Sequence, residues 1–196
     1  HQGKQTMKSL KGTKTEKNLM AAFVGESVAR NKYTFFASVA KKEGYEQISA
    51  IFQETADNEK EHAKRFYKFL GDAEVQVEST YSSGLGDTAA CLKMAAAGEH
   101  EEWSEIYAKG AKDAEEEGFA EIAAVFKNIA AVEKHHEERY LKLAQNIADG
   151  QVFKKGAPIA WKCRNCGFVF TGAEAPQKCP ACAHPQAFFE VLADNF

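Results

Sequence analysis

The chain has 196 residues, 44% hydrophobic and 27% charged, and its 25 Lys and Arg against 28 Asp and Glu leave a formal charge of −3. The length suits one medium domain, or a bundle of about 150 residues with a small appendage, and the balanced charge argues against a nucleic-acid partner or an anionic membrane surface. No run of about 18 apolar residues and no apolar signal segment is found, so a cytoplasmic protein is expected.

Residues 1–6, native or appended, are set aside. From Thr15 to about Ala148 the chain is rich in Ala, Glu, Lys and Phe, with apolar residues at helical spacing. Four long helices are predicted, over 15–42, 46–70, 87–117 and 119–148. Gly44 and Gly118 suit helix C-termini, and Asp87-Thr88 suits an N-cap. Residues 71–86 form a long crossover between the second and third helices. A bundle with one long connection is the ferritin-like arrangement. Beyond Gly150 the pattern becomes short, aromatic and punctuated by Gly and Pro. A bundle domain over 7–148 and a second domain over 157–196 are predicted, joined by the linker Asp149 to Gly156.

The helical part repeats itself. Gly25-Glu26 recurs as Gly98-Glu99, an offset of 73. Further on the offset is 74, pairing Gly44 with Gly118, Ile48 with Ile122, Phe52 with Phe126, Glu59 with Glu133, His62 with His136 and Arg65 with Arg139. Each half is a helix hairpin with one Glu on its first helix and Glu-x-x-His on its second, an i, i+3 pair on one face. Stacked about a pseudo-twofold axis, the hairpins bring Glu26, Glu59, His62, Glu99, Glu133 and His136 to the middle of the bundle. Glu102 belongs to the same set but breaks the symmetry, because Ala29 takes its place in the first half. Five carboxylates in one core cost several kcal/mol each unless cations neutralise them. Two iron ions would supply that charge.

In the C-terminal stretch, Cys163-Arg-Asn-Cys166-Gly167 and Cys179-Pro-Ala-Cys182 are separated by twelve residues. Two C-x-x-C turns offer four thiolates to one tetrahedral metal, and spacing alone leaves Zn and Fe open. Trp161, Phe168, Phe170, Phe188 and Phe189 would build a small aromatic core. A domain of about forty residues needs the metal as its staple in either case.

Together these motifs resemble the rubrerythrin family over nearly the whole chain, Met7 to Phe196. The match is carried by Gly25-Glu26-Ser27, by Glu-Thr-Ala-Asp-Asn-Glu-Lys-Glu-His (54–62), by Ala97-Gly98-Glu99-His100-Glu101-Glu102, by Glu133-x-x-His136, and by the two cysteine knuckles. The resemblance implies a ferritin-like di-iron bundle with a rubredoxin-like FeS4 domain. It makes Glu59 and Glu133 bridging carboxylates, Glu26 and Glu99 terminal ligands, and His136 the imidazole on the second iron. His62 and Glu102 would exchange on the first iron. Tyr33 and Tyr107 would hydrogen-bond ligands or substrate. Ala183 stands where free-standing rubredoxins carry a second knuckle glycine, a departure that rubrerythrins share.

The activity implied is peroxidase chemistry, reduction of hydrogen peroxide to water in oxidative stress defence. Electrons would come from an NAD(P)H-dependent donor, a rubredoxin or flavoprotein reductase, through the cysteine iron. Zn could fill either site in purified protein. A homodimer is expected, with the cysteine domain of one subunit near the di-iron site of another. The competing readings are a ferroxidase or iron store, a non-enzymatic zinc-ribbon adaptor, and a di-iron oxygenase.

Other residues read more plainly. His100, Glu101 and His135 sit about 100° around the helix from their ligand neighbours and suit the surface. Cys91 reads as a buried small residue, His184 as a hydrogen-bonding group near the cysteine cluster, Glu115 to Glu117 as a solvated stretch, and Trp103 as core or interface.

Overall fold

The computed structural model of the chain describes residues 8–196; Met7 and the segment 1–6 lie outside the described residues. Five α-helices are described: α1 (Lys14–Lys42), α2 (Glu46–Leu70), α3 (Thr88–Glu101), α4 (Tyr107–Glu116) and α5 (Ala120–Ala148). A π-helical turn, Glu102–Ile106, joins α3 to α4 without leaving the right-handed helical region. The third predicted helix is therefore one rod with a π turn inside it. The Tyr107 N–H reaches back five residues to the Glu102 carbonyl, which accommodates one extra residue in the rod. This is the physical basis of the shift in repeat offset, since Glu26 pairs with Glu99 at 73 while Tyr33 pairs with Tyr107 at 74.

Helix ends follow local chemistry. Asp87 caps α3 by accepting from the Ala90 N–H, and Thr13 caps α1 by accepting from the Glu16 N–H. Gly44 and Gly118 turn the chain at φ +85° and +83°, a region that costs other residues about 1–2 kcal/mol. Glu117, expected in a solvated stretch, instead accepts from the Thr15 N–H and hydroxyl, each at 2.7 Å. Glu43 does the same for Thr88, its N–H at 2.8 Å. Each hairpin's turn thus supplies a carboxylate to the N-terminus of the other hairpin's first helix, where the helix dipole favours negative charge.

The hairpins α1–α2 and α3/α4–α5 stack into a four-helix bundle, and residues 71–86 cross between them without regular structure. Two apolar clusters fill its interior. One gathers Tyr33, Phe36, Phe52, Leu92 and Tyr140. The other gathers Leu19, Phe66, Tyr107, Phe126 and Ile129. On every rod the interior glutamate lies in the stretch between these clusters, so aromatic plugs close the polar layer at both ends.

The C-terminal part is a three-stranded antiparallel sheet of β1 (Lys154–Cys163), β2 (Val169–Glu174) and β3 (Phe189–Val191), in the order β2-β1-β3. β1 begins at Lys154, inside the stretch read as linker, and its register shifts before Ile159. Trp161, Cys163, Ala175, Cys179 and Phe189 form the buried core, with Phe168, Phe170 and Phe188 packed on it. Phe153 stacks on Tyr45 at 6.1 Å, which seats the sheet against the α1–α2 turn.

Candidate metal centre

Glu26, Glu59, Glu99 and Glu133 are completely buried, and His136 is 2% exposed. Their ligand atoms fall into two overlapping sets. Glu26, Glu59, His62 and Glu133 form one, and Glu59, Glu99, Glu133 and His136 the other, with ligand atoms within 4.8 Å of one another in each. Glu59 and Glu133 belong to both. Each turns one oxygen to each histidine: Glu133 at 2.8 Å from His62 and 2.9 Å from His136, Glu59 at 3.3 Å and 3.1 Å. The i, i+3 spacing puts Glu and His on one face of α2 and α5, and the pseudo-twofold brings the faces together.

Close as these atoms are, several lack hydrogen-bond geometry. Glu26 Oε2, Glu59 Oε1, Glu99 Oε2, both Glu133 oxygens and His136 Nδ1 have no hydrogen-bond partner among the described residues. Buried polar atoms are rarely left so. Ligands turned toward common points, rather than toward one another, present this pattern, so the donor set fits two metal ions. Carboxylate and imidazole donors suit iron.

Electrostatics agree. Burial, then repulsion from Glu59, raises Glu26 well above the usual carboxylate range. Burial raises Glu99 and Glu102 likewise, with Glu133 and Glu59 adding to it. Burial would raise Glu59 too, but its contacts with Glu26, His136 and His62 outweigh that and lower it. Burial would lower the histidines, yet the nearby Glu133 and Glu59 push His62 up to about 10 and His136 up to about 11. Without metal the layer therefore holds protons that an unfolded chain would release.

This sets the pH dependence of the metal-free protein. The raised carboxylates stabilise the fold at low pH and lose that contribution as pH rises past their unfolded value of 4.5. The raised histidines contribute fully below 6.5 and lose it as pH rises through about 10 to 11. Both favour acid, with a slope of about 1.4 kcal/mol per pH unit for each proton retained. Calorimetry of chelated protein should show the melting temperature falling from pH 5 to pH 9, while metal affinity rises over the same range. A melting temperature that climbs with pH would contradict the assignment.

Tyr33 donates to Glu99 Oε1 at 2.5 Å, and Tyr107 donates to Glu26 Oε1. Burial raises both phenols well above their usual value, so they stay protonated donors. Glu102 stands apart from the two four-ligand sets. It lines a cavity between α1, α3 and the crossover. Two nearby residues escaped the sequence reading. Tyr140, buried edge-on to Tyr33 at 5.5 Å, has an unpaired hydroxyl among the described residues; its repeat partner is Phe66, and that departure was the available signal. Glu137 accepts from the Trp103 indole at 2.5 Å and lies 3.1 Å from His100. His100, Glu101 and His135 are on the surface, and Cys91 is buried.

The four cysteines also converge. Cys163 and Cys182 sulfurs are 3.8 Å apart, and Cys166 and Cys179 sulfurs 3.7 Å. A tetrahedron with metal–sulfur bonds of about 2.3 Å has edges of about 3.8 Å, so the set fits one ion. The knuckles are alike: Cys163 N–H bonds Phe168 O and Gly167 N–H bonds Cys163 O, while Cys179 N–H bonds His184 O and Ala183 N–H bonds Cys179 O. Gly167 and Ala183 both have positive φ, +82° and +61°, the left-handed region that glycine adopts without strain and alanine does not. The His184 N–H and the Asn165 side chain hold Cys182 well below the usual thiol range, at about 6. His184 lies outside the sulfur set, its ring 3.3 Å from the Cys182 carbonyl.

Comparison with known proteins agrees with this geometry. The rubrerythrin family profile matches residues 17–144, and the profile of the rubrerythrin rubredoxin-like domain matches 161–190. The chain is 58% identical to a rubrerythrin of Porphyromonas gingivalis, over 96% of this chain and 95% of that protein. It is 52% identical to a rubrerythrin of Nitratidesulfovibrio vulgaris, over 97% of this chain and all of that protein. Among solved structures, nigerythrin in its fully reduced, all-ferrous state has a TM-score of 0.63 at 30% identity, covering 96% of this chain and 91% of that one.

Proposed function

The chain belongs to the rubrerythrin family, and from that premise we propose that it reduces hydrogen peroxide to water at the Glu/His centre, with electrons entering through the four-cysteine site. A di-iron carboxylate site in a ferritin-like bundle and a rubredoxin-like site make it a peroxidase-type oxidoreductase. The observation that carries the finer reading is the sharing of Glu59 and Glu133 between both histidines at 2.8–3.3 Å. Two equivalents of reductant and two protons convert one peroxide into two waters. When bound, the iron pair supplies both electrons together, so the O–O bond breaks without releasing hydroxyl radical.

The residues divide the rest of the work. Glu59 and Glu133, common to both sets, would be shared by the two ions; Glu26 would hold the first, and Glu99 and His136 the second. His62, inside the first set, and Glu102, in the adjoining cavity, would serve as alternates on the first ion. Tyr33 and Tyr107 fix the orientation of Glu99 and Glu26 and keep their own protons. The aromatic plugs exclude bulk water, which strengthens every charge interaction in the layer.

Electron supply points to a second subunit. Arg164, next to Cys163, lines a groove with Glu46, and Glu59 lies about 20 Å farther along α2 at 1.5 Å per residue. A homodimer that places the cysteine site of one chain near the centre of its partner shortens that path, and an external NAD(P)H-dependent donor would feed it. Iron storage has no use for the cysteine site, so it fits less well.

Stopped-flow absorbance of reduced, iron-loaded protein mixed with peroxide tests the reading. Rapid oxidation, with the red cysteine-iron bands returning, is expected; slow peroxide reaction with fast oxygen consumption would point to ferroxidase chemistry. Glu102→Ala and His62→Ala should each slow peroxide turnover about 10–100-fold while the red bands remain. Unchanged turnover in both would remove them from the site.

A further inference from the structure

We propose that Gly25 and the crossover residue Tyr81 form the throat and rim of an entry for small neutral oxidants, leading from solvent to Glu102. The proposal rests on the reading of the centre as peroxide-reducing.

A cavity of about 440 Å³ opens between α1, α3 and the crossover. Glu102 lines it, as do Tyr33 and Tyr107, whose hydroxyls hold Glu99 and Glu26. It therefore meets the centre at Glu102, the predicted ligand that stands outside the four-ligand sets. Crossover residues Ser79 to Ser82 roof it. Lys32 pins that roof to α1, its ammonium 3.2 Å from both the carbonyl and the hydroxyl oxygen of Ser82.

Gly25 and Gly98 line the same cavity, each immediately before an interior glutamate. Neither has the positive φ that would demand glycine. A glycine inside a helix is less favourable than alanine, so what these positions gain is the missing side chain. A Cβ on Gly25 would lie 3.9 Å from Glu102 Oε1 and 3.9 Å from the Tyr81 hydroxyl. The space beside Gly25 is thus the gap between the rim and the carboxylate. A Cβ on Gly98 would meet nothing within 4 Å.

The charges suit an uncharged ligand. Lys32, Glu101 and Glu102 line the cavity, so carboxyl groups outnumber the one ammonium and an anion gains nothing by entering. The cavity exceeds by many fold the ~30 Å³ share of a water molecule, so it would also admit an alkyl hydroperoxide. Selection therefore falls to the throat. Tyr81, 43% exposed, covers it from the solvent side.

Nitric oxide, a neutral diatomic, probes the route independently of turnover. Its association with the ferrous-loaded protein is followed by stopped-flow absorbance in wild type, Gly25→Val and Tyr81→Ala. Gly25→Val should slow association at least about tenfold with the spectrum before mixing unchanged, whereas Gly25→Ala, with only ordinary contacts, should not. Tyr81→Ala should raise the turnover of tert-butyl hydroperoxide relative to hydrogen peroxide at least about tenfold, the scale of one-methylene discrimination. Tyr81 is on the crossover, away from the ligand sets, so its variant decides the matter if Gly25→Val perturbs the metals. Unchanged association and an unchanged hydroperoxide ratio in Tyr81→Ala would overturn the route. Failure of the peroxide reading would appear differently, as wild type that binds nitric oxide at the expected rate but does not turn over peroxide.

Discussion

Glu133→Gln should lower metal affinity and peroxide turnover by more than about 100-fold while leaving the metal-free protein as stable as wild type, or more so. Loss of a group that merely supports a ligand costs about 10–100-fold, and Glu133 faces both histidines, at 2.8 and 2.9 Å. The amide keeps the volume but removes a charge that helps to raise Glu26, Glu99 and Glu102. Relief of that repulsion offsets the loss of ion pairs to His62 and His136. Residues held for function at a cost in stability behave this way. Titration with ferrous iron and calorimetry of the chelated variant give the two numbers. Retained binding at both sites would end the bridging assignment, and a large drop in metal-free stability would mean that Glu133 is structural.

Cys179→Ser should unfold the C-terminal sheet and abolish reductase-driven turnover, yet spare the bundle. Cys179 and Cys163 are at the centre of the small core, with Trp161 and Phe189. That core spans about forty residues, too few to be stable on apolar burial alone, whereas a structural four-ligand metal contributes about 10–16 kcal/mol of folding free energy. The variant should lose the red bands and the near-ultraviolet signal of Trp161. Chemically reduced bundle should still be oxidised by peroxide in a single turnover. A folded, metal-free domain would refute the staple role, and undiminished reductase-driven turnover would refute the electron path.

Much of this was legible along the chain because it depends on short spacings. Helical periodicity, the Asp87 cap and the two Gly turns are local, and they placed the helices within a residue or two. Glu-x-x-His is local as well, so the repeat sufficed to predict which side chains would meet. The cysteine knuckles depend on turns of a few residues and were equally plain. The change of offset from 73 to 74 was visible too, but its form was not, because an inserted residue can be absorbed by a loop, a kink or a π turn. Packing of α3 and α4 against α5 keeps Glu99 and Tyr107 both facing inward, and a π turn at Glu102–Ile106 satisfies both.

What only the tertiary structure decided lies across long sequence separations. Glu43 and Glu117 look like surface charges in a helix-end composition, and they become caps only because the partner hairpin brings Thr88 and Thr15 to them. Glu102 appeared in sequence as a break in symmetry, and the fold sets it in a cavity whose roof comes from the crossover. Gly25 and Gly98 were legible as a repeat but not as open space, since the neighbours that make an absent side chain matter lie on other elements. The sequence determined which Glu and His side chains share a helix face, which follows from helix geometry; what surrounds them depended on how separate segments pack, and no local rule encodes that.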